Sequence, residues 1–193
     1  MTAILDRPPR ERLRIQTTAV VAGGLALLVA RPLLAGDGRP TATLITIFVT
    51  LLAVGACWPL AAQRYEVGRS GSVTAWSGLA LGIGAFGLGR LLGGGHPPVV
   101  LSARIIALNT LAAVAEEAFF RRLTFALIRP GGAALAVVGS ALLFAVAHVT
   151  VYGWWVLPID LAAGLVLGWQ RQATGRWWVP ALTHVVANVL VVL

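Results

Sequence analysis

Ala115-Glu116-Glu117-Ala118-Phe119-Phe120-Arg121-Arg122 is the stretch on which the rest of the chain turns. It holds two of the seven acidic residues, side by side, in a segment that otherwise reads as membrane-buried helix. An ionisable side chain at the bilayer centre costs about 2.5–3.5 kcal/mol on insertion scales, so charges kept there point to use. Successive helical positions diverge by about 100°, so the two carboxylates face different directions. Glu117 and Arg121 are spaced i, i+4 with the acid first, the favourable order for a helical ion pair. That pairing leaves Glu116 free on a neighbouring face. One carboxylate is then neutralised and the other is available for work.

Working outward, the 193 residues are 58% hydrophobic and 11% charged, with mean hydropathy +0.85. Such values exclude a disordered chain and lie far from a soluble domain. The formal charge is +8, and all fifteen basic residues are arginine. These sit mostly between apolar segments, as membrane topology requires, so the expected partner is the lipid bilayer and not nucleic acid. The absence of lysine beside abundant Ala, Gly, Val and Leu fits GC-rich coding and a bacterium. Cys57 is the single cysteine, so no intrachain disulfide and no cysteine metal site can form. It is assigned to membrane packing. Met1 to Arg14 resembles a signal-peptide n-region, but six further apolar segments follow, which favours a retained first span.

A span needs about 20 mostly apolar residues. Seven are predicted, at 16–35, 41–62, 73–93, 99–126, 132–152, 154–172 and 177–193. The expected fold is therefore all-α, a polytopic transmembrane helical bundle. Residues 1–15 form a cytoplasmic tail, 16–98 three N-terminal transmembrane helices, and 99–193 a catalytic helical domain. Eleven arginines fall on the side of the N-terminus (7, 10, 12, 14, 64, 69, 121, 122, 129, 171, 176) and three on the opposite side (31, 39, 90). The bias predicts a multi-pass protein of the cell (inner or cytoplasmic) membrane with its N-terminus in the cytoplasm. It also places the Glu116 end of the fourth span nearer the cytoplasm. Arg31 and Arg104 lie close to span ends and are expected to snorkel. Gly78 with Gly82, and Gly164 with Gly168, are GxxxG pairs that allow close helix approach. Gly82-Ile-Gly84-Ala-Phe-Gly87 matches a dinucleotide fingerprint, but no strand precedes it and it lies mid-span, so that reading is rejected. Gly93 to Pro98 breaks the chain before the fourth span, and His96 is a loop histidine.

Few strongly polar side chains remain inside the spans: Asn109, Glu116, Glu117, Arg121, His148, Asp160, His184 and Asn188. Phe144 and His148 share a helix face, as do His184 and Asn188. A carboxylate withdrawn from water becomes basic enough to serve as a general base near neutral pH. A neutral imidazole can share a water with it. A second histidine and an asparagine amide supply donors for a developing oxyanion. Together these groups make a water-activating peptidase site without a Ser or Cys nucleophile. Glu116, His148 and His184 could instead hold a divalent metal such as Zn²⁺, but no His-Glu-x-x-His helix is present and the ligands would come from three helices. No cofactor is expected. The plainer assignments are a structural ion pair for Glu117–Arg121, packing for Phe144 and Phe120, and helix joining for Asn188. Asp160 is read as a cap or a partner for an arginine, and Asn109 as a residue on nearly the same face as Glu116.

Glu116-Glu117-x-x-x-Arg121, Phe144-x-x-x-His148 and His184-x-x-x-Asn188, in that order on successive spans, closely resemble the CPBP family. These are intramembrane peptidases of the CAAX-processing and bacteriocin-processing (Abi) type, related to the type II CAAX prenyl endopeptidase. The resemblance covers about residues 99–193. It implies that Glu116 and His148 activate the hydrolytic water, that His184 and Asn188 stabilise the oxyanion, and that Glu117 and Arg121 hold the helix in place. It further implies a glutamate-type, metal-independent endopeptidase acting on a peptide or protein substrate in or near the membrane. Arg122 stands where a glycine often follows the motif arginine, so the local turn is expected to differ. The rival readings are a non-catalytic immunity or assembly factor on the same scaffold, and a proton-coupled transporter using Glu116 and His148. Transporters usually repeat their halves, whereas here the polar groups gather in the last four spans.

Overall fold

A computed structural model describes residues 9–36, 40–59, 74–93 and 102–192. Arg7, Arg39, Arg64, Arg69 and His96 lie outside the described residues. Among those described the chain forms seven helices and no strand. These are α1 (Pro9–Ala35), α2 (Pro40–Cys57), α3 (Ala75–Leu92), α4 (Ala103–Glu117), α5 (Ala133–Tyr152), α6 (Leu157–Thr174) and α7 (Trp178–Val192). α4 runs on through a π-helical segment, Ala118–Thr124, and a closing α-turn, Phe125–Ile128. The sequence reading gave this stretch as one regular helix from residue 99.

The protein is thus an all-α bundle, and its apolar surface is that of a membrane protein. α1, α3 and α5 are long and apolar enough to cross a bilayer, while Thr41–Cys57 and Trp178–Leu190 are shorter apolar helices. The 27 residues of α1 rise about 40 Å at 1.5 Å each, more than a hydrocarbon core of about 30 Å. Leu33, Leu91, Leu92, Trp76, Trp154 and Trp155 stand exposed. So much outward apolar surface suits lipid, with the tryptophans placed at helix ends where interfacial aromatic residues gather. Cys57 is also exposed, so it does not pack between helices.

Cross-helix contacts fix the directions. Trp58 Nε1, just past α2, donates to Thr17 Oγ1 near the start of α1 at 2.9 Å, so α1 and α2 run oppositely. Arg104 bonds Thr41 at the starts of α4 and α2, and Arg122 bonds the Ala56 carbonyl near their other ends, so α2 and α4 run together. Trp76 meets Trp178 at the starts of α3 and α7, and Arg90 Nε donates to the Leu190 carbonyl at their ends. The helices α4, α5 and α6 are joined by short turns at Gly132 and Gly153, whose φ values of 116° and 89° suit glycine alone. The chain therefore runs alternately up and down.

α4 and its π segment form the axis of the bundle, packed against α1, α2, α5, α6 and α7. Every residue from Ala115 to Arg121 is buried. Glycine makes the close approaches possible. A Cβ at Gly164 would lie 3.0 Å from the Ala141 Cα, and one at Gly168 would lie 3.3 Å from the Val137 carbonyl oxygen. The GxxxG pair of α6 therefore seats that helix on α5. Gly82 lies under Gln170 and Thr183, whereas Gly84 and Gly87 face open space. The GxGxxG run is simply one turn-and-a-half of α3.

Gly164→Leu should cost about 1–3 kcal/mol through overpacking, read as a lowered melting temperature in detergent. Gly84→Ala, with nothing within 4 Å, should leave it unchanged or raise it. Equal effects at both positions would refute the α5–α6 seat.

Candidate active site

The site is built where the π segment begins. A π turn carries i→i+5 bonds in place of i→i+4 and rotates the residues that follow. Phe119, Phe120 and Arg121 lie within this segment, and all three are fully buried. The Arg121 carbonyl accepts a 2.9 Å bond from Arg171 Nε on α6. Arg122 Nη1 reaches the Gly55 and Ala56 carbonyls at the end of α2, satisfying acceptors that a helix terminus leaves orphaned. The residue standing where glycine was expected is thus a cap for the neighbouring helix.

Glu117 and Arg121 form the predicted pair, with Nε 3.4 Å from Oε2 and both side chains wholly buried. Glu117 has a second partner that sequence reasoning missed: its Oε1 accepts from His184 Nδ1 at 3.1 Å. The carboxylate therefore holds the α7 imidazole in one orientation, as outer-sphere carboxylates do for functional histidines. Arg121 Nη2 also donates to the Gly164 carbonyl at 3.3 Å, and its guanidinium stacks 4.8 Å from the Phe144 ring centroid.

Glu116 is not free. Its Oε1 lies 3.2 Å from Nη1 of Arg31 on α1, and both side chains are buried. Arg31 does not snorkel. Charge bookkeeping calls for such a pair without naming its cation. Once Arg121 was given to Glu117, Glu116 was left in need of a cation, and Arg31 was one of several arginines inside the predicted spans that could supply it. The other carboxylate oxygen, Oε2, faces His148 Nε2 at 3.6 Å. His148 Nδ1 lies 2.8 Å from the Phe144 carbonyl. A carbonyl only accepts, so Nδ1 carries the proton and, in the neutral ring, Nε2 presents its lone pair to Glu116.

Phe144 ties these parts together. Its ring lies 4.5 Å from His148, 5.7 Å from His184 and 5.5 Å from Phe120, centroid to centroid. Tyr152 stacks on the outer side of His148 at 6.0 Å. Asp160 Oδ2 lies 3.8 Å from His148 Nδ1, so this acid belongs to the histidine's surroundings and is not paired with an arginine. Asn188 Nδ2 donates to the Asn109 carbonyl at 3.4 Å. Gln170, absent from the sequence-based list, is fully buried and bridges the Gly78 carbonyl and Thr183 Oγ1 at 2.8 Å each. As an amide inside an apolar span, it carried the same signal as Asn188.

Arg31 lies four residues before the end of α1, His148 four before the end of α5, and Asp160 three after the start of α6. The cluster therefore sits toward the arginine-poor end of the bundle. α4 reaches these partners by its middle, while they reach it by their ends. Among the described residues no three His, Cys, Asp or Glu side chains converge as a metal ligand set. His184 turns its Nδ1 to Glu117.

Residues 98–190 match the family model described as Type II CAAX prenyl endopeptidase Rce1-like. No curated protein and no solved structure matches the chain.

Arg121→Ala leaves Glu117 buried with only His184 as a partner. Breaking one side of a buried pair costs about 3–5 kcal/mol, so folded yield and melting temperature in detergent should both fall. Unchanged values would refute the structural role.

Proposed function

From the premise that the chain belongs, over residues 98–190, to the Rce1-like type II CAAX prenyl endopeptidase family, we propose that it is an intramembrane endopeptidase of the glutamate type. The observation that carries this reading is the facing of two proton acceptors, Glu116 Oε2 and His148 Nε2, 3.6 Å apart. Two acceptors do not bond each other. A water seated beside them donates one proton to each, which turns its lone pairs outward for attack.

In the proposed reaction, Glu116, with His148 beside it, takes one proton as the water oxygen bonds to the scissile carbonyl carbon. The carbonyl oxygen becomes an oxyanion. His184 Nε2 donates to it when the ring carries both protons, and Glu117 on Nδ1 supplies the countercharge for that form. Asn188 holds two amide protons, of which the Asn109 carbonyl takes one, leaving the second for the oxyanion. Collapse of the intermediate breaks the C–N bond. The proton held by Glu116 passes to the leaving nitrogen, releasing an amine and a new carboxylic acid. No step runs through a metal.

The substrate on this reading is a peptide or protein in or beside the bilayer. Arginines 10, 12, 14, 122, 129, 171 and 176 gather at one end of the bundle, which supports a multi-pass protein of the cell membrane with a cytoplasmic N-terminus. On that orientation the bond is cut within the bilayer, nearer the far face.

Glu116→Gln keeps the shape of the side chain and removes the base. Peptides from native membranes and from membranes carrying the variant are compared by mass spectrometry. Fragments made by this protein should fall about 10²–10⁴-fold, which names substrate and bond together. Matching profiles across growth conditions would overturn the peptidase reading in favour of a non-catalytic immunity or assembly factor.

A further inference from the structure

The matched segment begins at residue 98, yet the closest cation to Glu116 comes from α1. We propose that Arg31 is a positioning residue: by holding Oε1 of Glu116 it turns Oε2 toward His148, so α1 completes the site from outside the matched segment. This rests on the peptidase reading for its catalytic consequence, though the clamp itself does not.

The geometry is a division of labour between two oxygens. Oε1 meets Arg31 Nη1 at 3.2 Å, and Oε2 meets His148 Nε2 at 3.6 Å. The last torsion of a glutamate is broad and roughly two-fold, so an unanchored carboxylate swings and exchanges its oxygens. Arg31 removes that freedom. Its own plane is set in turn by the Phe48 ring of α2, 5.9 Å from the guanidinium carbon. The other charged or titratable groups around Glu116 are His148 and Tyr152 on α5, Asp160 on α6 and His184 on α7. None of these is a permanent cation, and Arg121 is occupied by Glu117. Guanidinium presents a rigid planar fork of donors, whereas a lysine presents a mobile point charge. Arg31→Lys should therefore restore the charge but only part of the aim.

Two measurements on the full-length protein test this. The first is kinetic, on the bond whose cleavage is lost in Glu116→Gln. Arg31→Met keeps the bulk of the stem and should lower kcat about 10²-fold, as misplacement of a reacting group does, with KM little changed; Arg31→Lys should fall between Met and wild type. The second is chemical, on membranes treated with dicyclohexylcarbodiimide and mapped by mass spectrometry. The reagent needs a protonated, unpaired carboxyl in an apolar setting. Arg31→Met should label at Glu116 severalfold more than wild type, with Glu117, still paired with Arg121, unlabelled. Wild-type kcat in Arg31→Met while Glu116→Gln is inactive would overturn this proposal and leave the peptidase reading standing. Labelling of both glutamates would reduce Arg31 to a general packing role and overturn it too. Undiminished cleavage in Glu116→Gln would overturn the peptidase reading and the catalytic part of this one, while the labelling would still decide whether Arg31 holds the carboxylate.

Discussion

Charge must cancel inside an apolar bundle, and the fold is arranged around that requirement. Two carboxylates and two guanidiniums are buried within one layer: Glu116 with Arg31, and Glu117 with Arg121. An ion left alone at such a place carries a desolvation penalty of several kcal/mol, so each must find its opposite. Because adjacent residues on α4 point to different sides, the two acids draw in different helices. Glu116 recruits α1 and α5, while Glu117 reaches Arg121 on its own helix and His184 on α7. The central position of α4 follows from this as much as from apolar packing.

The remaining features serve the same layer. Gly164 lets α6 come close enough for its carbonyl to receive Arg121, and Gly55 lets the end of α2 lie against the Ala118 backbone. Within the π segment Phe119, Phe120 and Arg121 are buried against different helices, and Arg122 caps α2. Phe144 touches both imidazoles and the Arg121 guanidinium. One ring thus sets the distance between the two halves of the site. The N-terminal helices carry none of the recognisable motifs, yet α1 supplies Arg31 and α2 supplies Phe48 beneath it.

What the sequence disclosed followed from rules that act locally. Apolar run length located the helices, since a span is set by bilayer thickness. The i, i+4 spacing found Glu117–Arg121, and motif order on successive spans pointed to the family whose model matches residues 98–190. What it concealed depended on contacts between distant segments. Arg31 and Glu116 are 85 residues apart, and no helical period links them. The π segment adds no special residue, only a different hydrogen-bond register, so Ala118 to Thr124 reads as ordinary helix. Glu117–His184 was hidden because each residue already had a sufficient role. The level of the cluster along the bundle is set by where along each helix the partners sit, which a count of loop charges does not describe.

The separation of Arg31 from its partner has a consequence for biosynthesis. Arg31 is made and inserted 85 residues before Glu116, which at bacterial-to-eukaryotic synthesis rates of about 5–20 residues per second is a wait of roughly 4–17 s. During that interval Glu116 is not yet there to pair with the arginine. Its place four residues from the end of α1 lets the long side chain keep its head among lipid headgroups meanwhile. The same residue is thus placed to suit two environments, the interface while the ribosome is still translating and the closed interior once α4 has arrived. Its position near the helix end is as much a solution to the order of synthesis as to the geometry of the finished bundle.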